Sequence, residues 1–180
     1  MSKRLYSLVY VIRDDMTVPI SFEFFPARGL ESQERLGKTA RALAAVNPEF
    51  FSVTFGAGGG TRDLTFDTTI NLSEEAGIRT VPHISCNALT AEEIEEMLNK
   101  YKSVGVSEIV ALRGDNPSGL GASGEFKYAN ELVTFVKDRY GDDIKINVAA
   151  YPEVHPQAVS SRDDLQRFRH KVASGADAAI

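Results

Sequence analysis

Six apolar segments recur along the 180-residue chain at near-even intervals, beginning near residues 20, 50, 80, 108, 144 and 178. Between successive segments the apolar residues fall at three- and four-residue spacing, as on one face of a helix. A strand-plus-helix unit repeated about every thirty residues argues for a parallel sheet with right-handed crossovers. Two architectures satisfy that pattern, an open sheet and a closed barrel. An eight-stranded barrel takes roughly 250 residues. The chain supplies five complete units and stops inside a sixth apolar segment, with no helix after it. The reading is therefore an α/β chain, a (β/α)8 TIM barrel of which about the first five and a half βα units are present, truncated at its C-terminal side.

The units differ in clarity. Residues 1–18 form an N-terminal extension in which Leu5, Leu8, Val9 and Ile12 have helical spacing. Strand one is Ile20 to Phe25, with Phe22 and Phe24 on one face and Ser21, Glu23 and Phe25 on the other. A helix over 32–46 follows, then strand two from Phe50 to Phe55, a glycine-rich loop at 56–60, and a helix over about 63–76. Strand three, Arg79 to Cys86, contains Pro82, which predicts an irregular start. Helix three opens on Thr90-Ala91-Glu92-Glu93, a capping box, and carries Ile94, Met97, Leu98, Tyr101 and Val104 on one stripe. Strand four, Ile109 to Leu112, is a branched apolar run of the kind buried on both faces of a parallel sheet. Helix four runs from about Tyr128 to Tyr140 and strand five from Ile144 to Tyr151. Helix five starts near Ser160 or Ser161 with Leu165, Phe168 and Val172 as its apolar side.

Composition excludes several function classes. A net charge of -5 gives no electrostatic grip on nucleic acid. One cysteine and three scattered histidines make neither a disulfide framework nor a metal-ligand cluster, so no metal is expected. The apolar run Leu8 to Ile12 is too short for a membrane span and has no signal-peptide cleavage pattern, so the expectation is a cytoplasmic protein without membrane association.

Ligands of βα folds sit at the carboxyl ends of the strands. There this chain places Glu23, Thr54, His83, Arg113 with Asp115, and Tyr151 with His155. Glu23 stands out, because a carboxylate among phenylalanines is costly unless paired or protonated. Burial would make it hold its proton and suit it to general-acid work; the alternative is an edge strand with Glu23 in water. The loop 56–60 fails the dinucleotide fingerprint, since Thr61 stands where the third glycine is required, and it lacks the Lys-Ser/Thr of a phosphate-binding loop. Arg113-Gly114-Asp115 also spells an adhesion tripeptide, without a secretory signal to go with it. Taken singly, His83 reads as a core histidine, His155 as a loop residue and Lys171 as a solvated helix residue. Their convergence is what suggests a site.

Four ordered motifs resemble the methylenetetrahydrofolate reductase family over about residues 19–180. They are Ser21-Phe22-Glu23-Phe24-Phe25-Pro26, Ser52-Val53-Thr54-Phe55-Gly56-Ala57-Gly58-Gly59, Ala111-Leu112-Arg113-Gly114-Asp115, and Ala149-Ala150-Tyr151-Pro152-Glu153-Val154-His155-Pro156. The resemblance implies that residues 19–180 are an incomplete FAD-binding barrel. It implies hydride transfer from NADH or NADPH to the flavin, then to 5,10-methylenetetrahydrofolate, giving 5-methyltetrahydrofolate in ping-pong fashion. Glu23 matches the family's acid, which helps open the folate's five-membered ring. Asp115 matches the carboxylate beside the flavin and the folate, with an electrostatic role. Thr54, His83, Arg113, Gly114, Asp115, Tyr128, Ala129, Tyr151, His155, Asp164 and Lys171 fall where the family contacts FAD. The resemblance also implies small-molecule substrates and a homo-oligomer at full length. The alternative is an inactive or partner-dependent fragment that binds flavin weakly or not at all.

Overall fold

A computed structural model describes residues 18–55, 59–87, 89–114 and 124–180. The expected N-terminal helix within 1–18 lies outside them, apart from Val18, as do residues 56–58 of the glycine loop and Asp115. The chain alternates strand and helix throughout: β1 Ser21–Phe24, α1 Leu30–Ala44, β2 Phe50–Val53, α2 Gly59–Ala76, β3 Thr80–Ser85, α3 Ala91–Ser103, β4 Glu108–Leu112, α4 Ala129–Tyr140, β5 Lys145–Val148, α5 Ser161–Ala173 and β6 Ala178–Ala179. The six strands pair in chain order, every pair parallel. The sheet is curled, and the architecture is a partial βα barrel.

Alternation within each strand decides what is core. Phe51 and Val53 of β2 are fully buried with Phe24, Ala40 and Leu72 under α1 and α2. Ile84, Ile109, Ile146 and Val148 are buried with Ile94, Leu98, Leu132, Val133 and Val136 of α3 and α4. The residues between them face the other way. Phe50, Val81 and Val110 cluster there, with Leu112 packed against them. Near the amino ends of the strands, buried Glu108 accepts from Arg79 Nη1 at 2.5 Å and from Asn147 Nδ2 at 2.9 Å. A carboxylate in that position is held by its partners and serves the wall of the barrel.

Pro82 is accommodated by a change of partner. Residues Thr80 to Pro82 pair with Phe51 to Val53, and His83 to Ser85 pair with Val110 to Leu112. Pro82 has no N–H to donate, and the ladder to β4 begins one residue after it. The irregularity expected at the start of β3 is thus a hand-over from one neighbour to the other within an otherwise buried strand.

The helix boundaries follow their caps. Thr90 Oγ1 accepts from the Glu93 N–H at 3.2 Å, and the Glu93 carboxylate accepts from the Thr90 N–H at 2.8 Å. We expect Thr90→Ala to cost about 1 kcal/mol, read as a lower urea midpoint with an unchanged slope. Helix α2 starts at Gly59, earlier than the expected 63. A first turn is specified by its backbone and not by an apolar stripe, so periodicity missed it. Helix α5 departs from expectation in burial. None of its residues is buried, and Leu165 is 59% exposed. It packs on α4 at one side of the sheet and turns Leu165 toward a cavity instead of the core.

Candidate functional site

Side chains at the carboxyl ends of the strands form two groups. The first is on the face of the sheet turned away from the helices. Alternation in β1 sends Phe22 and Phe24 to the helix side and Glu23 to this inner face, level with Ser52 of β2. The expected burial of Glu23 is not met: its side chain is 54% exposed. The reason is position. Among the described residues β1 pairs only with β2, and the phenylalanines beside Glu23 in sequence point to the opposite face.

His83 of β3 is the buried member of this group, at 5% exposure. Its Nε2 has no hydrogen-bond partner among the described residues. The atom nearest to partnering it is Glu23 Oε2, at 3.5 Å. Burial pushes the imidazole down to about 4, because the charged form loses its hydration. His83 fills the expected place of a core histidine, yet one of its nitrogens is left unpaired toward a carboxylate.

The second group surrounds a cavity of about 410 Å³ beyond the end of β5, lined by Tyr151, His155, Asp164, Leu165, Phe168 and Lys171 among others. Four of the expected site residues therefore meet in one place. The Tyr151 and His155 rings contact edge to face with centroids 4.5 Å apart. The His155 N–H donates to Asp164 Oδ2 at 3.0 Å, which pins the loop to the first turn of α5. The N–H of Gln157 donates to His155 Nδ1 at 3.0 Å. With Nδ1 accepting, the neutral ring carries its proton on Nε2. Lys171 Nζ donates to the Ala149 carbonyl at 2.5 Å; burial lowers the proton affinity of its ammonium, and Asp164 opposes that in part.

Arg113 links β4 to this cavity. Its Nη2 donates to Gln157 Oε1 at 2.5 Å. The next residue, Gly114, has φ +86, and a Cβ there would lie 1.7 Å from Ser85 Oγ. Ser85 Oγ in turn donates, shared between the Arg113 carbonyl and Asn87 Oδ1, both at 3.1 Å. The turn after β4 is thus seated on the end of β3. Tyr128 caps α4, and the Arg167 guanidinium of α5 lies over its ring at 5.3 Å. Thr54 is held by its backbone, donating to Phe24 and accepting from Thr65 Oγ1. Neither Thr54 nor Ala129, the first residue of α4, is tied to the two groups by a hydrogen bond among the described residues.

Sequence reasoning missed three participants. Ser85 and Asn87 continue the inward alternation begun by His83, so the signal was present. Gln157, which joins Arg113 to His155, had none: a glutamine in a polar loop is unremarkable until the loop is placed.

The chain was compared with known proteins. The family profile for methylenetetrahydrofolate reductase matches residues 10–180. The 5,10-methylenetetrahydrofolate reductase of Escherichia coli K12 is 40% identical over 163 residues, covering 91% of this chain and 54% of its own length. A rice protein named probable methylenetetrahydrofolate reductase (NADH) is 36% identical, covering 93% of this chain and 30% of its own length. The chain spans about half the length of the bacterial relatives it matches, or less for the plant ones. Among solved structures, QR15, an aldolase, superposes with a TM-score of 0.61 at 14% identity, over 90% of this chain and 67% of its own. A 2,3-dimethylmalate lyase superposes at 0.58 and 12% identity, over 90% and 56%. At such identities these two share the fold alone. Motif order, the family profile and 40% identity across nine-tenths of the chain lead to one conclusion: the chain belongs to the methylenetetrahydrofolate reductase family.

Proposed function

We propose that this chain is the part of a flavin-dependent methylenetetrahydrofolate reductase that holds FAD and supplies the acid for folate reduction. The observation that carries this reading is the cavity beyond β5, where Tyr151, His155, Asp164 and Lys171 converge and to which Gln157 ties Arg113. The donor set fits a cofactor with a diphosphate and many hydroxyls. Arg113 and Lys171 bring positive charge, the His155 ring presents Nε2–H, and Asp164 is an acceptor. When bound, the flavin supplies hydride transfer between NADH or NADPH and the folate.

The residues of the chain supply the rest. Lys171 and Arg113 neutralise and orient the anionic part of the cofactor. Gly114 brings backbone close to the end of β3, so the segment carrying Arg113 is fixed before the cofactor arrives. Glu23, on the open inner face, delivers a proton to the folate when its ring opens. Asp115 carries the negative charge that, by the family resemblance, stabilises the cationic form of the folate. The name of the rice relative makes NADH the donor to test first. A homo-oligomer at full length, located in the cytoplasm, completes the reading.

The test uses the protein expressed at its full encoded length. It should purify yellow, release FAD on denaturation, and reduce methylenetetrahydrofolate with NADH or NADPH. A colourless protein that takes up no FAD would overturn the reading. Lys171→Met should weaken FAD binding by about 10- to 100-fold, the worth of one hydrogen bond from a charged donor. An unchanged Kd, measured by fluorescence quenching of added FAD, would remove Lys171 from the cofactor site.

A further inference from the structure

We infer that His83 is a positioning residue for Glu23: the buried imidazole and the carboxylate hold one proton between them, and the pair, not the carboxyl alone, is the acid on the inner face. This rests on the role proposed for Glu23 and explains how that role survives in the observed geometry. A general acid must keep a proton near the working pH. Burial was the expected device, and Glu23 is half in water. The structure offers another.

Glu23 on β1 and His83 on β3 project from alternate strands toward the same face, the arrangement that places side chains in one layer of a βα barrel. Nε2 is fully buried, lacks a partner among the described residues, and points to a carboxylate oxygen 3.5 Å away. A small rotation of the half-exposed Glu23 side chain closes that gap to a hydrogen bond. Among the described residues, Val110 is the register partner of His83 on β4, and Val81 and Ser85 flank it on the same face of β3. On β4 and just after it, the described charged groups are engaged elsewhere: Glu108 with Arg79 and Asn147, Arg113 with Gln157. Glu23 is therefore the one charge among the described residues positioned to act on the ring.

Two effects oppose each other at His83. Burial alone disfavours its protonation. An ionised carboxylate at this distance favours it, by about ten- to a thousandfold in proton affinity. Burial is what brings the imidazole down toward the range of a carboxyl group, and the carboxylate beside it favours keeping a proton on the pair, so that a proton added there is shared. On catalysis the proton leaves from the carboxyl oxygen to the folate nitrogen, both members of the pair are left without it, and solvent restores it.

The experiment is a 15N NMR titration of the His83 ring in the full-length protein without cofactor. In wild type the ring should take up its proton at least tenfold more readily than in Glu23→Gln. Glu23→Ala, which keeps no polar group, should match Glu23→Gln and guards against a new hydrogen bond in the glutamine variant. Equal titration in wild type and both variants would overturn the pairing. Because this readout needs neither flavin nor folate, it decides the pairing even if the protein proves not to be a folate reductase. In the active enzyme saturated with FAD, His83→Gln should displace the pH profile of folate reduction further than that of flavin reduction by NAD(P)H. An unmoved profile would also overturn the inference.

Discussion

Gly114→Ala should cost about 3 kcal/mol or more, one of the largest losses expected from adding a single methyl group to this chain. Two causes add. The backbone at Gly114 has φ +86, and a residue with a Cβ occupies that region at a cost of about 1–2 kcal/mol. The added carbon would also stand 1.7 Å from Ser85 Oγ and 2.6 Å from Asn87 Oδ1. Neither is the far end of a long side chain that can swing away. Ser85 is buried and gives its hydroxyl hydrogen to the turn itself. Gly105 is the matched control, since its φ is +84 and nothing lies within 4 Å of its Cβ position. Gly105→Ala should lose only the backbone part, so the difference between the two variants measures the clash. For a chain of this size, about 3 kcal/mol corresponds to roughly 6–12 °C in Tm. Equal losses at both glycines would mean that the turn relaxes freely and does not fix Arg113.

The consequence reaches the proposed cofactor site. If the turn after β4 is forced off the end of β3, Arg113 moves with it, and its bond to Gln157 is the link to the cavity beyond β5. Gly114→Ala protein that still folds should bind FAD more weakly than Gly105→Ala protein of known stability.

The strand–helix period was readable because each unit buries a short apolar run on the sheet and a stripe on the helix, and both leave a trace in sequence. Thr90 to Glu93 was readable for a different reason: a capping box is local, and its two hydrogen bonds need only those residues. What sequence did not carry was what lies opposite a face. Alternation correctly set Glu23 apart from Phe22 and Phe24, but flanking phenylalanines say nothing about the side they do not occupy. The same limit explains Leu165, which has helical spacing with Phe168 and Val172 yet lines a cavity at the sheet's flank. The four motifs did place Tyr151 and His155 in one loop, and the structure adds Asp164 and Lys171 around the same cavity. The tie from that loop to Arg113 spans 44 residues through Gln157 and has no periodic signature.

Glu23→Gln, in the full-length protein, should lower the rate of folate reduction by about 10²- to 10⁴-fold, the usual range for loss of a general acid. Reduction of the bound flavin by NAD(P)H should remain near the wild-type rate, because that half-reaction needs no proton from this side chain. The fold should not intervene. Glu23 is half-exposed, and glutamine has its shape, so stability should change by no more than about 0.5 kcal/mol. Glutamine can also offer an N–H to the unpaired Nε2 of His83, which preserves the local packing while removing the transferable proton. Stopped-flow measurement separates the half-reactions: flavin bleaching by NAD(P)H first, then its recovery on adding methylenetetrahydrofolate. Equal slowing of both would mean that the substitution has disturbed the site as a whole, and full recovery at the wild-type rate would mean that the acid lies elsewhere. Slow recovery after normal bleaching is the expected result, and its joint occurrence with a shifted His83 titration would tie the lost proton to the pair on β1 and β3.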